Sequence, residues 1–116
     1  MASRVEQFTA LVERQPESEL FRFSLAQALE AQGLLEQALP HYVFCAGKKS
    51  DWMMPRILSA KALLGLGRKE EAVPFLHEAL RLAIDQHHET PEAELRALLA
   101  GVGSVSSGSG PAKPTT

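Results

Sequence analysis

An all-α chain of about six helices, stacked as a short repeat solenoid, is predicted by three features of the sequence. Gly33, Ala38 and Pro40 recur 34 residues later as Gly67, Ala72 and Pro74, and Ala26, Ala28 and Leu29 recur as Ala60, Ala62 and Leu63. Apolar residues fall at helical spacing throughout. β-branched residues are sparse. A fixed period of this length marks a unit that cannot bury its apolar face alone and stacks on a copy of itself.

Each helix follows from local signals. Ser3 followed by Glu6 has the form of a capping box, and Val5, Phe8, Leu11 and Val12 make one apolar stripe, predicting a helix over 4–15 that stops at Pro16. A second helix is predicted over about 17–31, ending at Gly33, where glycine accepts the left-handed conformation and Leu34 can fold back over the last turn. A third covers about 35–46. The fourth is expected to start after Asp51 as N-cap and to reach about residue 64, before Gly65-Leu66-Gly67. The fifth covers about 69–86. A sixth opens at Thr90 with Pro91 in its first turn and stops before Gly101. Short loops make consecutive helices antiparallel neighbours. Pro40 and Pro74 recur early in the third and fifth helices, so they belong to the repeat unit.

These predicted elements give one domain over residues 1–100, with full repeats at about 19–52 and 53–86 flanked by helices at 4–15 and 91–100. Residues 101–116 hold four Gly, four Ser, two Pro and two Thr, and only Val102 and Val105 as sizeable apolar side chains. Such a stretch is expected to stay disordered, because it offers too little apolar surface to offset its ordering entropy.

The two copies resemble tetratricopeptide repeats, carried in the first by Leu25-Ala26, Leu29, Gly33, Ala38, Tyr42 and Cys45. In the second they are carried by Ala60, Leu63, Gly67, Ala72, Leu76 and Ala79. Arg22 and Arg56 depart from the pattern by standing where a large apolar residue is usual, and Ser59 replaces a leucine. The resemblance implies a protein-interaction adaptor, with the first helix of each repeat lining a concave groove for a protein or peptide partner. The groove positions it implies are Leu20, Phe23, Gln27 and Glu30, then Met54, Ile57, Lys61 and Leu64. Leu20, Phe23, Met54 and Ile57 would form an apolar patch beside polar Gln27, Glu30 and Lys61, and Phe23 and Ile57 are expected to be removable without unfolding. Phe23 and Ile57 fall at lysine-type positions of the clamp by which some relatives grip acidic chaperone C-termini, so that clamp is absent. The alternative reading is a self-associating module whose apolar stripe is a homodimer interface, since two full repeats are fewer than a comfortable solenoid needs.

Other chemistry finds little support. The formal net charge is −2, with a locally basic stretch over 46–69 followed by an acidic one over 70–95. Neither biases the whole domain as a nucleic-acid surface would. Cys45 is the only cysteine, so no intrachain disulfide can form. No apolar run approaches a membrane span, no signal-peptide pattern opens the chain, and a cytoplasmic location is expected. His41 and Cys45 stand four apart on one helix, too few ligands for a metal site. His87-His88 fall near a helix C-terminus, where capping is the natural role. Gly65-Leu66-Gly67-Arg68-Lys69 lacks a preceding strand and is a helix–helix turn. No catalytic constellation stands out, and neither an enzyme nor a cofactor is expected.

Overall fold

The computed structural model describes residues 3–107, the last five as backbone only. They form six helices and no strand: α1 (Arg4–Arg14), α2 (Glu19–Ala31), α3 (Leu35–Lys48), α4 (Met53–Gly65), α5 (Lys69–Asp85) and α6 (Glu89–Ser107). Each helix packs mainly on its neighbours in sequence, giving an elongated body of 54 × 29 × 20 Å. That is the layout of a solenoid, in which contacts pass from one unit to the next.

Most helix ends follow local chemistry. At α1 the capping box forms: Glu6 N donates to Ser3 Oγ at 3.1 Å, and Ser3 N donates to Glu6 Oε1 at 2.9 Å. α2 starts two residues later than expected, because Ser18 is the N-cap and accepts from Phe21 N at 3.2 Å. α4 is capped at Trp52 rather than Asp51, with no side-chain cap bond. The largest difference is α6, expected to stop before Gly101 but helical to Ser107. Val102 lies seven residues after Leu95, hence on the same helical stripe, and both are buried in one apolar cluster. That burial holds the helix through glycines that local propensity would use to end it. Residues 108–116 of the expected disordered tail lie outside the described residues.

Three helices end in the same hydrogen-bonded turn. Gly33 and Gly67 both have φ of 77°, and the next residue donates back to the helix: Leu34 N to Leu29 O at 3.0 Å, Arg68 N to Leu63 O at 2.8 Å. This is the Schellman arrangement, and glycine suits its left-handed position. His87 holds that position after α5, with φ of 59° and His88 N donating to Ala83 O at 2.8 Å. A Cβ is strained there. His87→Gly is expected to raise unfolding stability by about 0.5–1 kcal/mol despite glycine's greater freedom when unfolded, as measured by urea denaturation.

The core repeats as the sequence does. Ala26, Ala38, Ala60 and Ala72 are fully buried, at matching phases of the two copies. Leu25, Leu29 and Tyr42 complete a first cluster, on which Val5, Phe8 and Val12 of α1 are laid. Leu63, Leu76, Ala79, Ala83 and Leu95 belong to a second cluster, extended by Leu98 and Leu99 of α6. α1 and α6 therefore cover the two ends of the stack. Pro40 and Pro74 sit at equivalent points of α3 and α5, both facing solvent.

The two arginines that break the repeat pattern turn out to share one job. Arg56 is only 8% exposed and donates to Ala46 O at 3.0 Å, Lys49 O at 3.2 Å and Trp52 O at 2.8 Å, while its Nε meets Glu78 Oε1 at 3.1 Å. It ties the end of α3 and the α3–α4 turn to α5. Arg22, one period earlier, donates to Pro16 O at 2.8 Å in the α1–α2 turn and stacks on Phe44, 4.2 Å from the ring centroid. Phe44 and Glu78 are themselves 34 apart. Each arginine thus fixes the turn that enters its repeat and reaches the second helix of that repeat. Arg56→Ala would leave several acceptors at the α3 end without a donor and is expected to cost roughly 3 kcal/mol. Arg22→Ala, with one carbonyl bond to lose, is expected to cost about 1 kcal/mol in the same urea titration.

Candidate functional site

α2 and α4 carry the eight expected groove positions, and the structure separates them by exposure. Leu20 is 66% exposed and Met54 45%, both unusual for large apolar side chains, while Gln27 and Glu30 also reach solvent. Ile57 is 4% exposed and lies within the second core cluster. It is therefore a packing residue, and the expectation that its removal would spare the fold does not suit that place. Phe23 is half-buried, its ring edge-on to Tyr42 at 5.7 Å between centroids and tilted against Trp52 at 4.9 Å. Leu64 is half-buried against the second cluster. Lys61 is exposed, but its Nζ lies 3.1 Å from Glu94 Oε2 on α6.

An open cavity of about 270 Å³ brings three of these residues together, lined by Gln27, Glu30 and Ala31 of α2 and by Met54 and Leu58 of α4. Ala31 and Leu58 were not among the expected positions. A single i, i+3, i+7 stripe is narrower than the surface two helices share, and Ala31, four residues after Gln27, widens it. Behind the cavity, the Tyr42 hydroxyl donates to Glu30 Oε1 at 2.5 Å. Burial, then the adjoining Glu30 carboxylate, push the Tyr42 phenol well above its ordinary range, so it stays a donor.

The remaining polar groups are largely engaged in structure. Cys45 is buried and its thiol donates to Glu19 O at 3.3 Å. Burial, and secondarily Glu19, push that thiol up to about 11, so it is neither a thiolate nucleophile nor a ready metal ligand. Burial, with a smaller contribution from Arg22, holds His41 below its usual value. Among the described residues no group of three or more His, Cys, Asp or Glu side chains could hold a metal ion. In the basic stretch, Lys48, Arg56, Lys61 and Arg68 each pair with a carboxylate. No helix among the described residues is long and apolar enough to cross a membrane.

A 34-residue helical hairpin repeated in phase, with left-handed glycine turns and alanine contacts, defines a tetratricopeptide-repeat-type solenoid, and its class is that of a protein-binding scaffold. Solved structures agree. The chain is similar to PcrH in complex with the chaperone binding region of PopD, at a TM-score of 0.80 and 26% identity over 89% of this chain and 78% of that one. It is similar also to PcrH from Pseudomonas aeruginosa, with a TM-score of 0.74 and 27% identity over 85% and 76% of the two chains. A third likeness is to a mutant of MamA, with a TM-score of 0.64 and 26% identity over 67% of this chain and 57% of that one. No protein-family model matches the chain, and no curated protein is similar to it in sequence.

The raised Cys45 value has a consequence for stability. An ordinary thiol, near 9.0, ionises in the unfolded chain before the folded one does. Between pH 9 and 11 the unfolded state then holds fewer protons than the folded state, and stability falls as pH rises. Urea titrations are expected to show a loss of about 1 kcal/mol from this thiol between about pH 8 and 10. Cys45→Ala should be less stable at about pH 8 but show a flatter pH profile.

Proposed function

We propose that this protein is an adaptor that holds an extended or helical segment of a partner protein against the face formed by α2 and α4. The observation that carries this reading is the cavity between the two helices, lined in part by the exposed Met54, together with the exposed Leu20 seven residues before Gln27 on α2; neither exposure serves a purpose in the core. Exposed anchors next to a few polar groups are what peptide recognition uses. The similar PcrH structure, which holds the chaperone binding region of PopD, supports the same reading by analogy. A cytoplasmic setting goes with it, since the lone cysteine is a buried thiol that needs no oxidising compartment.

The test uses peptides selected by display against the whole chain, with affinities measured by titration calorimetry. Leu20→Asp and Met54→Asp are each expected to weaken binding at least tenfold, about 1.4 kcal/mol, with the urea midpoint nearly unchanged. Ile57→Ala serves as the contrast: it is expected to lower stability by roughly 2–4 kcal/mol as a core truncation. Unchanged affinity in both aspartate variants would refute the groove. Light scattering on the same samples reports whether Leu20 and Met54 instead serve self-association.

A further inference from the structure

We propose that the cavity between α2 and α4 takes a cationic side chain, arginine or lysine, from the bound segment. This rests on the groove reading and adds the chemistry of one subsite to it. The lining divides by character: Ala31, Met54 and Leu58 are apolar, while Gln27 and Glu30 supply oxygen acceptors. Among the described residues no lysine or arginine lines the space. Arg56, two residues from both Met54 and Leu58, spends its donors on Glu78 and on carbonyls of α3 and the α3–α4 turn, and Lys61, one turn beyond Leu58, is drawn to Glu94 at 3.1 Å. Glu30 makes no ion pair among the described residues.

Glu30 is also placed rather than free. Tyr42 is fully buried and donates to Oε1 at 2.5 Å, which fixes the carboxylate at the cavity and leaves Oε2 to accept from a ligand. A negative charge held by a buried donor, over an apolar floor, matches the two halves of a long cationic side chain. The methylene stem lies along Met54 and Leu58, and the charged head meets Glu30 and the Gln27 amide oxygen. An acidic side chain would meet Glu30 with like charge. A purely apolar one would fill the floor but cover the Glu30 carboxylate without pairing it, at a desolvation cost.

The test titrates the full chain with N-acetyl-arginine methylamide, its neutral near-isostere N-acetyl-citrulline methylamide, and N-acetyl-norleucine methylamide, followed by amide chemical shifts. The arginine probe is expected to shift the Gln27, Glu30 and Ala31 amides saturably, about 5-fold more tightly than citrulline, and this preference should shrink in about 0.5 M salt. Glu30→Gln should abolish the preference while leaving the folded spectrum intact. Equal binding of arginine and citrulline, or a preference that survives in Glu30→Gln, would overturn the proposal. Norleucine shifting these amides while arginine does not would also overturn it, yet leave an apolar groove standing. If no probe moves them the cation subsite falls, and the groove itself is judged by the Leu20 and Met54 variants.

Discussion

The two helices of each repeat approach closely because both present only a methyl group where they cross, and this close approach governs the rest of the molecule. Ala26 faces Ala38 in sequence phase as Ala60 does Ala72, and all four are fully buried. A larger side chain at any of them would force the backbones apart in an interior that is close-packed. Once the crossing is fixed, Leu29 and Tyr42 in one copy, and Leu63 and Leu76 in the next, fill the space around it. The glycine turns at Gly33 and Gly67 then reverse the chain within the length this geometry allows.

Stacking one repeat on the next is a separate problem, and polar chemistry takes part in solving it. Arg22 and Arg56 bind carbonyls of the turns that enter their repeats, where helix ends leave acceptors unpaired. A charge as buried as that of Arg56 is tolerable only because carbonyls and Glu78 meet most of its donors. Tyr42 links this interior to the surface. Its ring belongs to the core of the first repeat, and its hydroxyl aims Glu30 at the cavity, so packing and the proposed recognition depend on one side chain.

Periodic and local features were legible in the sequence. The capping box at Ser3, the glycine turns and the small-residue crossings each depend on residues within a turn or one period of each other. What escaped depends on contacts formed only after folding. Arg56 reads as a departure from the repeat because its carbonyl partners are contributed by another helix and turn. The extension of α6 past Gly101 looks like a glycine-serine tail until Val102 finds the core. Ile57 and Met54 share a stripe in the sequence, yet one is interior and the other exposed, because the neighbouring helices cover only part of α4's surface. Ala31 and Leu58 resemble ordinary helix residues, and only the spacing between α2 and α4 makes them cavity walls.

On the proposed reading, partners meet the protein on α2 and α4. A photo-activated crosslinker placed singly at Leu20, Met54 or Val43 in the native host tests it most directly, since all three side chains are exposed and Val43 lies on α3 outside the cavity lining. One shared crosslinked partner band is expected from positions 20 and 54, and none from position 43. The same band from position 43, with none from 20 and 54, would contradict it.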